Sequence, residues 1–318
     1  MKHTPLVSVI IPNYCHSKYL DERISSILNQ TYQNYEIIIL DDCSPDEGAS
    51  IGVIEKYRDN PKVSHIVYNE LNSGSTFKQW YLGISLAKGN LLWIAESDDS
   101  CSPVLLETLV NEFEKYPDTV YAYSTSCLVD QDSNIYMRPI DRKNKHLDGV
   151  DYIKKYLVQG NSVQNASSCL FRKDVVSTID QEYTKYKGAG DWLFWLLLAE
   201  KGEVSIVNKG LNYFRKHNNN TTAQCYSNGK NFKENKIIFD IIERKGYYNF
   251  STRCLTKWFN YKSIKKTRFV NEDIHNEVYN LWNFNSYEVF WGDMYYKLRF
   301  CTRQIQFMKE LILHQTSK

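Results

Sequence analysis

The first 130 residues alternate two hydrophobic periods, and that alternation leaves few folds open. "LVSVIIP" (6–12), "YEIIILDD" (35–42), "KVSHIVYN" (62–69), "NLLWIAES" (90–97) and "VYAYSTSCL" (120–128) are short, nearly continuous apolar runs rich in β-branched residues. Runs of this length predict strands buried on both faces. Helical spacing separates them. "YLDERISSILNQ" (19–30) sets Leu20, Ile24, Ile27 and Leu28 on one face, and "DEGASIGVIEKYRD" (46–59) follows Pro45. A further helix falls within 76–88 and ends at Gly89, and "SPVLLETLVNEFEKYP" (102–117) begins with Ser102 as N-cap and Pro103 as first residue. Strands alternating with helices predict an α/β chain with a doubly wound, mostly parallel sheet. Ligands of such sheets sit beyond the carboxyl ends of the strands. Here "PNY" closes the first strand, "DD" the second and "ESDD" the fourth.

The pattern loosens after residue 129. A polar loop with a hairpin (129–147), a short helix (148–160) and a strand with a turn (167–176) lead to "GAGDWLFWLLLAEKG" (188–202), a helix with an Asp at its start. A strand or hairpin (204–222) ends in a basic, Asn-rich loop. From about 223 the chain reads as helical, with a boundary within 221–229. A net charge of +2 gives no electrostatic case for nucleic acid. Eight scattered cysteines with no C-x-x-C pair read as reduced thiols, neither a disulfide frame nor a zinc site. With no signal-peptide pattern at the start, this points to the cytoplasm. The longest apolar run, "WLFWLLLA" (192–199), is far short of the roughly 20 residues a bilayer requires. Residues 251–318 carry eleven Lys or Arg against six Asp or Glu, together with "KWFNYKSIKK" and "YYKLRFCTRQIQFMKELIL". A basic, aromatic helical tail fits peripheral contact with the inner face of the plasma membrane, dimerisation, or packing on the rest of the chain.

Glu96, Asp98 and Asp99 crowd one strand end, where like charges repel. A hard dication, Mg2+ or Mn2+, relieves that repulsion by taking carboxylate oxygens and bridging to phosphates. One of the Asp residues can instead hold a ribose hydroxyl. The same string also fits a solvated loop in which Ser102 or Asp99 caps the next helix. Asp41 and Asp42 fit acceptance of a base N–H, or local turn bonding through "DDCSPD". Tyr14 fits stacking on that base, or a rim aromatic. Asp191 is open to two readings, a proton acceptor or a helix cap.

"VSVIIPNY", "IIILDDCS", N-S-G at 72–74 and "AKGNLLWIAESDD", in this order and spacing, resemble the nucleotide-sugar-binding half of family 2 glycosyltransferases, which have the GT-A fold. "FKQW" (77–80) with "WIAESDD" is similar to a subgroup carrying Glu in place of the first Asp of D-x-D-D. The resemblance covers residues 1–222. It implies a GT-A doubly wound mixed sheet, with 1–130 binding the nucleotide sugar and 131–222 the acceptor. Residues 223–318 form a mainly helical C-terminal extension outside it. The implied reaction is inverting transfer of a sugar from a UDP-, GDP- or dTDP-type donor to the hydroxyl of a carbohydrate or lipid-linked acceptor, with Mg2+ or Mn2+, in cell-surface polysaccharide or glycoconjugate assembly. Tyr14 and Asp42 would bracket the base, with Asp41 beside them and Pro12 and Asn13 shaping the pocket. Asp98 and Asp99 would hold the ribose and the metal, with Glu96 in support, and Lys78 would approach the donor. In "GAGDWLFWLLL", Asp191 matches the family's catalytic base, while Gly190 stands where the family has Glu. "YFRKHNNNTT" (213–222) is similar to the family's Y-R-x-H segment, so His217 would touch metal or phosphate and Arg215 the diphosphate. His16 reads as rim.

Two alternatives stay in view. Gly190 is compatible with a sugar-nucleotide-binding module that lacks transferase activity. A nucleotidylyltransferase would need a Gly-rich basic loop after the first strand, and "PNYCHSKY" has no glycine. Neither G-x-G-x-x-G nor a P-loop occurs.

Overall fold

A computed structural model describes residues 4–217 and 225–299. In chain order the first unit contains β1 (Val7–Asn13), α1 (Ser17–Leu28), β2 (Tyr35–Asp41), α2 (Ala49–Glu55), β3 (Val63–Tyr68), α3 (Thr76–Leu86), β4 (Leu91–Ile94), β5 (Ser100–Cys101), α4 (Leu105–Lys115), β6 (Thr119–Val129), β7 (Ile135–Met137) and β8 (Lys145–Asp148). It continues with α5 (Gly149–Lys155), β9 (Cys169–Arg172), α6 (Lys173–Val176), α7 (Gly190–Ala199) and β10 (Glu203–Arg215).

All ten strands form one sheet in the order β3-β2-β1-β4-β9-β6-β10-β5, with β7 on β6 and β8 on β10. β1 and β2 are buried at every residue, as their unbroken apolar runs require. α1 buries Leu20, Ile24 and Ile27 against the sheet, and its Arg23 lies under them with the guanidinium over the Trp93 ring at 4.8 Å. The sheet is mixed rather than mostly parallel. β3, β2, β1 and β4 run parallel, but β9 enters between β4 and β6 antiparallel to both. β10 is parallel to β6 and antiparallel to β5 and β8.

The fourth crossover differs from the sequence expectation. Ser100 and Cys101 add a two-residue strand on β10, so α4 starts at Leu105 with Val104 as N-cap. Ser102 does not cap it with its side chain; its carbonyl accepts the Leu105 N–H instead.

The chain divides into two compact units, 1–153 with 161–223, and 154–160 with 224–318. In the second, α8 (Lys230–Arg244), α9 (Phe250–Lys266) and α10 (Glu272–Trp282) enclose Phe232, Phe239, Ile264, Val278 and Trp282. Asn249 and Thr252 form a capping box at the start of α9. The Thr256 hydroxyl donates to the Val158 carbonyl at 2.7 Å, which ties residues 154–160 to this unit. Helical backbone continues over 286–299, exposing Tyr287, Phe290, Met294 and Leu298. The Asn-rich loop from 218, the expected boundary at 222/223, and the tail from residue 300 lie outside the described residues. Among the described residues, no helix is long and apolar enough to cross a membrane.

Candidate active site

The carboxyl ends of β1, β2 and β4 converge as expected, but their carboxylates divide into different roles. Asp42 is buried and its oxygens are filled from within the chain. Oδ1 accepts from Asn69 Nδ2 (2.7 Å), the Ser73 N–H (2.8 Å) and Gln79 Nε2 (2.9 Å), and Oδ2 from Asn72 Nδ2 (3.2 Å) and the Ser73 hydroxyl (2.8 Å). A carboxylate offers about four lone-pair sites. Asp42 therefore builds the 69–75 loop, with its acceptor sites occupied from within the chain. Asp41 accepts Asn13 Nδ2 (2.7 Å) and the Ser44 hydroxyl (2.7 Å) on Oδ1, but only the Ser44 N–H (3.0 Å) on Oδ2. Asn13 is buried on β1 as its holder, Pro12 is buried beside it, and Tyr14 is exposed at the strand end. Lys78 is exposed and donates to the Ser73 carbonyl at 3.0 Å, so it braces the loop.

The acidic string after β4 separates in the same way. Asp99 is fully buried, with Oδ2 accepting Asn165 Nδ2 (2.8 Å) and the Ser167 hydroxyl (2.6 Å), and Oδ1 the Arg215 N–H (3.0 Å). It braces these elements and lies outside the His16–Asp98–His217 group. Arg215 is engaged within the chain as well. Its buried guanidinium donates to the Asp98 carbonyl (2.7 Å), the Asp130 carbonyl (3.0 Å), the Ser133 hydroxyl (2.9 Å) and Glu22 Oε2 (2.7 Å). These donors hold protein groups, so Arg215 fixes the strand end. Glu96 accepts Trp80 Nε1 at 2.9 Å; burial, followed by the charge of Asp98, pushes its carboxyl up to about 8. Near neutral pH it is largely protonated. The expected three-way repulsion is thus relieved within the protein: a protonated Glu96, a hydrogen-bonded Asp99, and Asp98 beside an imidazole.

Asp98 is the carboxylate of the three that meets the imidazoles. Its Oδ2 lies 3.0 Å from His217 Nε2. Burial opposes its charge, but the His217 hydrogen bond and the two nearby imidazoles outweigh it and hold the carboxyl below its usual range. His16, expected at the rim, joins this pair: one ligand atom from each of His16, Asp98 and His217 lies within 4.8 Å of the others. His16 Nδ1 sits 2.9 Å from the Ser97 hydroxyl, and burial lowers the imidazole pKa. The His16 and His217 rings meet edge to face at 5.6 Å, with Tyr19 against His217 at 5.4 Å. Two imidazoles and a carboxylate are a donor set suited to a first-row dication.

Asp191 stands in the first turn of α7, with Ala189 as N-cap, so the capping reading does not hold. Asn161 Nδ2 donates to its Oδ2 at 2.7 Å, and the Trp192 N–H to Oδ1 at 2.8 Å. Its helix is otherwise almost wholly buried. Gly190 has a packing cause: a Cβ there would lie 2.6 Å from Phe77 Cδ2 and 2.7 Å from the Tyr183 carbonyl oxygen. Restoring the family's acid with Gly190→Glu is expected to destabilise the fold by about 3 kcal/mol. Urea unfolding measures it, and an unchanged midpoint would refute this packing account. "FKQW" now has a physical reading. Phe77 fills the space over Gly190, Lys78 and Gln79 hold the loop and Asp42, and Trp80 pins Glu96 while packing on Phe194 at 5.7 Å.

A profile described as glycosyl transferase family 2 matches residues 8–179, more than half of the chain. The chain belongs to glycosyl transferase family 2. It is 39% identical over 136 residues to the glycosyltransferase GlyG of Streptococcus pneumoniae, a match spanning 41% of this chain and 42% of that protein. Against the chondroitin synthase of Escherichia coli it is 25% identical over 264 residues, 80% of this chain and 35% of the relative. The match thus spans less than half the length of each of these two proteins. The fold of this family 2 chain matches the crystal structure of Staphylococcus aureus TarS 1-349 in complex with UDP-GlcNAc, with a TM-score of 0.57 and 17% identity over 86% of this chain and 70% of that one. The GT-A architecture and transferase class follow from the family, and the helical C-terminal region accompanies them.

Proposed function

We propose that the chain moves a sugar from a UDP-type donor to an acceptor hydroxyl with inversion, in cell-surface polysaccharide or glycoconjugate assembly. The observation that carries this reading is the Asp98–His217 pair, presented at the strand ends of a family 2 domain. The nucleotide bound by TarS, and the polysaccharide named for the chondroitin synthase, support the choice of donor and pathway class.

Tyr14 lies flat on the base. Asp41 accepts a base N–H on Oδ2, held in place by Asn13 and Ser44. Pro12 lines the same pocket. Asp98 and His217 would hold a dication, which would stabilise the charge of the departing diphosphate. Glu96, fixed by Trp80, meets the donor sugar as a hydrogen-bonding group. Asp191, oriented by Asn161, takes the acceptor proton as the hydroxyl attacks the anomeric carbon from the face opposite the diphosphate. Gly190 gives no support to a non-catalytic module, since Phe77 and Tyr183 account for it.

Calorimetry with UDP and GDP, with and without MnCl2, followed by a screen of UDP-sugars for released UDP, tests the reading. UDP binding strengthened by Mn2+ is expected. A chain that binds no nucleoside diphosphate in either condition would not be this enzyme.

A further inference from the structure

We propose that His16 is a third protein ligand of the cation held by Asp98 and His217, and that the resulting two-imidazole, one-carboxylate set selects Mn2+ over Mg2+. The proposal rests on the metal-dependent reading above.

Position 16 is the N-cap of α1, where Ser, Asn or Asp would stabilise the helix by accepting an N–H. His16 makes no such side-chain bond. Its carbonyl accepts the Leu20 N–H, while its ring turns away from the helix to Ser97 and the Asp98 cluster. A histidine that gives up the cap and points into a carboxylate–imidazole pair is placed for something other than the helix. The Ser97 contact supplies what a metal-bound imidazole needs behind it. With Nδ1–H as the donor, the 2.9 Å contact to the Ser97 hydroxyl fixes the ring and leaves the lone pair on Nε2. Tyr19 and the edge-to-face His16–His217 contact hold the second imidazole against rotation.

The donor chemistry then decides the ion. Mg2+ takes oxygen ligands and gives up water reluctantly, so two nitrogens in its shell are unfavourable. First-row dications accept imidazole, and two histidines with one carboxylate leave positions open for other ligands. An Asp alone, or Asp with one His, discriminates far less. His16 is therefore a specificity-determining residue for the cation.

Pulsed EPR of the Mn2+-loaded chain with UDP counts the coupled imidazole nitrogens, and calorimetry with MnCl2 and MgCl2 gives the affinity ratio. Wild type is expected to show two coupled imidazoles. His16→Asn, which improves the helix cap and so keeps the fold, is expected to show one and to lower the Mn2+/Mg2+ affinity ratio about tenfold or more. Mn2+ bound through one histidine in the wild type, or an unchanged ratio in the variant, overturns the assignment of His16 and leaves the function standing. A wild type that binds no Mn2+ even with UDP overturns the metal reading itself, and this proposal with it.

Discussion

Asp191→Asn is expected to lower the turnover of sugar transfer by about 10²- to 10⁴-fold while leaving UDP affinity unchanged. The amide has the shape of the carboxylate and still accepts from Asn161, so the first turn of α7 is preserved. It has no basic oxygen to receive the acceptor proton. The hydroxyl would then have to attack without losing that proton, which raises the barrier of the chemical step and leaves ground-state binding alone. Single-turnover kinetics against equilibrium UDP binding separates the two. A variant that transfers at the wild-type rate would remove Asp191 from the mechanism.

Asp98→Ala strikes the other half of the site. Asp98 is the one carboxylate in the His16–Asp98–His217 cluster, and it supplies the only negative charge there. Without it, two imidazoles alone face a dication and a diphosphate. The Mn2+-dependent gain in UDP affinity should disappear, a loss of at least about a hundredfold in Mn2+ affinity, and transfer should fall below detection. Titrating UDP into the variant with and without MnCl2 should give superimposable curves. A retained Mn2+ effect would move the ion elsewhere.

The N-terminal part of the sheet was legible because its signals are local. β1 and β2 are continuous apolar runs, α1 has a clean face, and the motifs stand directly after the strands that position them. The mixed direction of the sheet was implied by the family resemblance but was not legible in the hydrophobic pattern itself. β9 is four residues long, and what turns it antiparallel between β4 and β6 is the path of the chain before it. β5 is two residues and exists only because β10 passes by. Site residues divided along the same line. Residue type marked Asp98, His217 and Asp191 as candidates, and all three remain so. It could not show that Asp99 receives donors from Asn165 and Arg215, 66 and 116 positions away, or that Arg215 is spent on Asp130, Ser133 and Glu22. Asp42 looked like a ligand group for the same reason, since its five donors come from residues 69–79. His16 was passed over because a single histidine beside a strand carries no periodicity. The one available clue was its adjacency to "PNY" at a helix start that favours Asn or Ser.

Asp99 joins residues from both stretches that the motifs divide into donor and acceptor parts: its own loop after β4, Asn165 and Ser167 ahead of β9, and the end of β10. Residues 1–130 are therefore not a self-contained cassette. A chimera that grafts residues 1–130 onto a foreign acceptor half would bury a carboxylate with no one to meet it, next to Asp98 itself. Such hybrids should succeed only when the grafted piece brings its own Asn165, Ser167 and Arg215 along.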